Sequence, residues 1–109
     1  MVEVYQEIKS LHDQANKSYW LAEDPYSRTY LHGKACGFME ALNVIRERAG
    51  MRKIEQLEEH VEELRAEAST EQELSRTPEE EEYAMGYLDA LQDVVNAIEG
   101  VWGWTKLKN

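Results

Sequence analysis

The chain has one cysteine, two prolines and one phenylalanine, and it contains no long apolar run. Each shortage removes a class of answer. A lone Cys36 excludes an intrachain disulfide and any multi-cysteine zinc site, and its place in a helical pattern marks it as a small buried residue. Without about 18 consecutive apolar residues there is no membrane span. The opening MVEVYQEIKS carries acids where a secretory signal would carry a basic flank and an apolar stretch, so a cytoplasmic location is expected. Catalytic patterns are missing too. His12, His32 and His60 sit in no HExxH, no histidine follows a carboxylate by three positions as in di-iron bundles, and there is no phosphate-binding glycine loop. No catalytic residue, metal ligand or cofactor is therefore predicted.

Basic side chains are also scarce, with 12 Lys and Arg against 22 Asp and Glu and a formal charge of −10. The imbalance is local. Between Glu55 and Glu82 there are twelve glutamates against only Arg65 and Arg76, which equals the net charge of the whole chain. A molecule polarised in this way repels nucleic acid and anionic membranes from that region and favours a partner with a basic surface. Solvated helix faces are the plain structural account of the same glutamates.

What the chain has in abundance is helical periodicity, and part of it occurs twice. Residues 35–45 read ACGFMEALNVI and residues 84–94 read AMGYLDALQDV, so a shift of 49 positions superposes Gly37 on Gly86, Ala41 on Ala90 and Leu42 on Leu91. Self-similarity at a fixed offset points to a duplicated structural unit. Gly37 with Ala41, and Gly86 with Ala90, are small pairs one helical turn apart. They leave flat strips for helix packing, and the two copies are expected to face one another or a common neighbour. Glu40 and Asp89 project away from that contact, towards solvent.

Taken in order, Val4, Ile8, Leu11, Ala15, Ser18 and Ala22 form one helical face over residues 2–22. Asp24-Pro25 ends that helix and opens the next, since Asp is a favoured N-cap and Pro a favoured first residue. The second pattern runs from 25 to 68 and slips at Ala49-Gly50-Met51. With no proline or polar turn cluster beside the glycine, a long rod, continuous or gently kinked near Gly50, is predicted. Residues 54–68 have coiled-coil spacing over barely two heptads, which suits a dimer seam. Ser69–Arg76 is polar and aperiodic and is predicted as a loop. Thr77-Pro78-Glu79-Glu80 is a capping box, opening a helix over 77–100 with Gly100 as its C-cap. A short tail, 101–109, then carries Trp102 and Trp104.

Three resemblances bear on function. Glu58, Glu59, Glu62 and Glu63 make an EExxEE run that resembles the magnesium-binding acidic helix of all-α nucleotide pyrophosphohydrolases of the MazG type. Carboxylates one turn apart can hold magnesium against a triphosphate. The second acidic motif of that family, ExxD, is absent, because Asp89 follows Gly86 by three positions and Asp93 follows Ala90. Pro25-Tyr26-Ser27-Arg28 looks like the opening of a helical hairpin in phage proteins that sequester cyclic nucleotides, though the residues after it depart from the pattern. The GYLDALQDV style of repeat, the size and the tryptophan-rich tail are similar to small helical proteins of phages and prophages.

The expectation is thus an all-α protein of three helices forming a single helical domain over 1–109, a homodimer that binds no nucleic acid directly and no membrane. Its expected role is that of a non-enzymatic interaction protein, of the type phages direct against host or defence proteins. The expected contact residues are Glu55, Glu58, Glu59, Glu62, Glu63, Trp102 and Trp104, with nucleic-acid mimicry by the 55–82 region as one mode. A magnesium-dependent pyrophosphohydrolase and a nucleotide-sequestering protein are the alternatives.

Overall fold

The computed structural model describes the backbone of residues 2–47 and 54–108 and the side chains of 3–47 and 56–100. Four helices follow in order: α1 Val2–Leu21, α2 Pro25–Glu47, α3 Ile54–Glu73 and α4 Pro78–Lys108. No strand occurs among the described residues.

The all-helical class is as expected, but the number of helices is four and not three. The expected rod over 25–68 is two helices that run in opposite directions. Their directions follow from side-chain partners and from the length of a connection. Tyr30 bonds Asp89 and Lys34 pairs with Asp93, so α2 and α4 run parallel, whereas α3 and α4 pack on one another across a connection of only four residues, 74–77, so they run antiparallel. The five-residue slip in the apolar pattern marks that reversal; Gly50 itself lies outside the described residues. Two further boundaries differ from expectation. α3 continues to Glu73, because Ser69–Glu73 is polar without being helix-breaking, and the Thr70 hydroxyl donates to the Ala66 carbonyl at 3.1 Å. α4 continues through Gly100 to Lys108, so there is no separate tail. No described glycine has positive φ, so Gly100 is not a left-handed C-cap, and one helical glycine costs only about 1 kcal/mol relative to alanine.

Both predicted starts are made by the expected residues. The Asp24 carboxylate accepts from the backbone N–H and the hydroxyl of Ser27, each at 3.0 Å, at the head of α2. Thr77 Oγ1 accepts from the Glu80 N–H at 3.1 Å. The Glu80 carboxylate accepts in return from the Arg76 N–H at 2.9 Å, one residue earlier than in the usual capping box.

α2 and α4 share the most extensive contact, α1 packs mainly on α2 and α3 mainly on α4, and α1 and α3 do not meet among the described residues. The central contact is close because it is made by the repeat. A Cβ on Gly33 or Gly86 would collide with the backbone of Tyr83 or Tyr30 respectively, and one on Gly37 would lie 2.9 Å from the Tyr87 carbonyl oxygen. Ala41 and Ala90 are fully buried beside them. The two copies therefore face one another directly. The core on either side holds Val4 and Ile8 of α1, Phe38 and Leu42 of α2, Leu57 and Val61 of α3, and Leu91, Val94 and Ile98 of α4.

Within the expected dimer seam, Leu57 and Val61 are fully buried and Ala68 nearly so in a single chain, against α4. Ser18 of the α1 stripe is exposed, and Tyr19 takes its place in packing towards α2. No described helix is long and apolar enough to cross a membrane.

Candidate functional site

Three surfaces carry the chemistry-bearing side chains. The first is the outer face of α3. With Leu57, Val61 and Ala68 turned inward, Glu58, Glu59, Glu62 and Glu63 line an open groove of about 630 Å³ together with Ala66. Their polar neighbours come from the same helix: Arg65 lies 3.0 Å from Glu62, and the His60 ring 4.0 Å from Glu63. Among the described residues no three His, Cys, Asp or Glu side chains converge as a metal site. Of the other sequence-predicted contact residues, the side chains of Glu55, Trp102 and Trp104 lie outside those described. The backbone at 102 and 104 belongs to α4.

The second surface is a polar latch along one side of the α2–α4 pair. The Tyr30 hydroxyl donates to Asp89, and Lys34 Nζ lies 3.6 Å from Asp93. Burial, followed by the bond to Asp89 and the charges of Asp93 and Glu82, pushes the Tyr30 phenol up to about 12. Asp89 is exposed, as its sequence position implied, but it is engaged as an interhelical acceptor.

The third surface lies at the end where both helical turns meet. Because α2 and α4 are parallel, the α1–α2 turn and the α3–α4 turn lie at the same end of the bundle. Four of the six large apolar side chains exposed among the described residues are there: Trp20 at 70%, Leu21 at 72%, Tyr26 at 48% and Leu74 at 72%. A row of rings connects the two turns. Trp20 meets Tyr19 edge-on at 5.3 Å between centroids, Tyr19 meets His32 at 5.9 Å, and His32 meets Tyr83 at 5.5 Å. Tyr83 in turn walls a cleft of about 410 Å³ with Leu74, Ala84, Glu71, Ser75 and Glu79. Arg28 holds the row from behind, its guanidinium carbon 4.9 Å from the Tyr19 ring centre and its Nε buried without a hydrogen-bond partner.

Cys36 is only partly buried, with its Sγ 3.8 Å from His32 Nε2. This departs from the buried residue expected, and its neighbours include His32 on the same helix and Tyr83 on α4. Burial is the main cause raising the Tyr83 phenol, with the Cys36 thiol next. Burial and then Glu40 push the Tyr87 phenol up to about 12. These phenols stay protonated at neutral pH and present ring surfaces 6.5 Å apart.

Sequence reasoning missed this third surface. Its members come from α1, α2, α4 and the α3–α4 turn, at spacings that no single helical period connects. The only hint in the sequence was the run of Tyr19, Trp20 and Leu21 at a helix end. No protein-family model, no curated protein and no solved structure matches the chain.

Proposed function

We propose that the chain is a non-enzymatic interaction protein that binds a basic surface on another protein through its glutamate-lined α3 face. One observation carries the reading. The α3 carboxylates are held outward as a group while the apolar side of the same helix is consumed by the core, so the groove of Glu58, Glu59, Glu62 and Glu63 is not needed for folding. Four carboxylates within six helical residues amount to one charge per roughly 2 Å of axis at about 1.5 Å rise per residue. Duplex DNA carries one per about 1.7 Å. A site built for nucleic acid can accept such a helix in its place, which is the mimicry version of the proposal. The likeness to small phage proteins makes a host or defence protein the natural target.

The test compares the wild-type chain with a variant in which Glu58, Glu59, Glu62 and Glu63 are all glutamine, each used to capture partners from source-cell extract. A partner held by the wild type, released by salt and not captured by the variant supports the proposal. A partner that survives both the substitutions and high salt overturns it. Magnesium-dependent hydrolysis of a nucleoside triphosphate, lost on Glu59→Gln or Glu62→Gln, replaces the proposal with the pyrophosphohydrolase reading. Thermal stabilisation by a nucleotide without turnover replaces it with sequestration, since a ligand bound only to the native state raises its stability.

A further inference from the structure

The end of the bundle that carries both turns has more apolar surface than folding explains. Trp20, Leu21 and Leu74 are each at least 70% exposed, on two different hairpins, and the cleft beside Leu74 is open. Exposed large apolar side chains gathered in one place mark an interaction site where scattered ones do not. The ring row between the hairpins has a regular spacing. Its centroid separations are 5.3, 5.9 and 5.5 Å, the contact spacing of aromatic rings, so the row runs without a break from Trp20 to Tyr83.

The rim has one dominant sign. Glu23 beside Trp20, and Glu71 and Glu79 beside Leu74, make no ion pair among the described residues, while Asp24 and Glu80 are occupied in capping. The cations near this end are Lys17, Arg76 and Arg28, and Arg28 is spent on the Tyr19 ring. An apolar strip with an acidic rim fits one kind of occupant: an amphipathic helix whose apolar side is flanked by lysine and arginine.

We infer that the turn end is a docking site for a basic amphipathic helix of a partner protein, with apolar anchors on Trp20 and in the Leu74–Tyr83 cleft and basic side chains on Glu23, Glu71 and Glu79. The inference goes beyond the proposed function: it adds a second contact for a basic partner, at the turn end and separate from the α3 glutamates. The C-terminal turns of the same copy do not reach the site, since α4 begins at the cleft and runs 31 residues away from it, about 46 Å along its axis.

The experiment uses the full chain and three synthetic peptides: a lysine–leucine amphipathic helix, a lysine peptide of equal charge without leucine, and a glutamate–leucine helix. Binding is measured by calorimetry to the wild type, to a Trp20→Ser, Leu74→Ser variant and to the glutamine variant of Glu58, Glu59, Glu62 and Glu63. The expected result is binding of the lysine–leucine helix alone, weakened about tenfold or more by the Trp20 and Leu74 substitutions. The α3 glutamine variant should retain that binding. Equal binding of the lysine-only peptide, insensitivity to Trp20→Ser and Leu74→Ser, or no binding at all overturns the docking site. Peptide binding lost only in the α3 glutamine variant overturns it too, yet leaves the proposed function standing. Self-association of the wild type that Leu74→Ser abolishes and the peptide cannot enter assigns the surface to a second copy instead. Circular dichroism of each variant confirms that the helices are intact.

Discussion

A Cβ built on Gly37 would lie 2.7 Å from the Cβ of Ala90. Gly37 belongs to the first copy of the repeat and Ala90 to the second, so the duplicated segments are each other's packing partner at a separation only a missing side chain permits. Gly86→Ala is the sharper probe, because its Cβ would meet backbone, 2.9 Å from the Lys34 nitrogen and closer still to the Tyr30 carbonyl oxygen. Overpacking of about 1–3 kcal/mol outweighs the gain of about 1 kcal/mol in helix propensity. A net loss of up to about 2 kcal/mol is expected in urea denaturation. Gly100→Ala is the control: nothing lies within 4 Å of its Cβ position, and a gain of up to about 1 kcal/mol is expected.

Tyr30 and Asp89 should be energetically coupled across α2 and α4. In a double-mutant cycle with Tyr30→Phe and Asp89→Asn, a coupling of about 1 kcal/mol is expected, the worth of one hydrogen bond to a charged acceptor at a partly exposed site. Additive losses in the same cycle would mean that the latch contributes nothing.

Alkaline pH should loosen the molecule through its tyrosines. Tyr30 and Tyr87 are each pushed up to about 12 in the fold, against about 10 in an unfolded chain, and Tyr83 is raised as well. A raised phenol binds its proton more tightly when folded. Its stabilising contribution is therefore complete below about pH 10 and is lost as the pH rises towards about 12. A spectrophotometric titration should show three of the six tyrosines ionising late, together with loss of helical signal over that range. Ionisation of all six near pH 10 with the helices intact would contradict it.

The two helix starts should each be worth about 1 kcal/mol. Thr77→Ala removes the acceptor for the Glu80 N–H, and Asp24→Ala removes the acceptor for the Ser27 N–H. Hydrogen exchange should speed up at the first turn of α4 in the one case and of α2 in the other, with the rest of the bundle little changed.

The turn-end residues should be dispensable for folding. Trp20→Ser and Leu74→Ser are expected to change stability by no more than about 0.5 kcal/mol, as for exposed positions generally. Leu57→Ala, at a fully buried position, should cost about 2–5 kcal/mol. A large loss at Trp20 or Leu74 would show that these side chains serve the fold.

What was legible in the sequence was local. Asp24-Pro25 and Thr77-Pro78 announce their helices because a cap is made within one turn by residues adjacent in the chain. Gly37 and Gly86 announce a close contact because a small residue on a helical flank has few other uses. The reversal between Glu47 and Ile54 was hidden because an apolar pattern that slips by five residues fits a bent rod as well as two antiparallel helices. Choosing between them requires knowing that Leu57 and Val61 pack on α4. The extension of α4 past Gly100 was hidden because glycine suits a C-cap and, at a modest cost, a helix interior. Of the candidate surfaces, the α3 carboxylates could be read from spacing alone. The ring row from Trp20 to Tyr83 could not, because it exists only where three helices converge.

The parallel course of α2 and α4 gives the molecule a working polarity. α1 runs against α2 and therefore begins at the end where α2 finishes, and α4 finishes there too, so both described chain ends lie opposite the turns. A linker, label or solid support attached near Val2 or near Lys108 would hold the bundle by its far end and leave Trp20, Leu74 and the acidic rim facing outward. The fold is arranged like a probe on a handle, and either end of the described chain can serve as the handle.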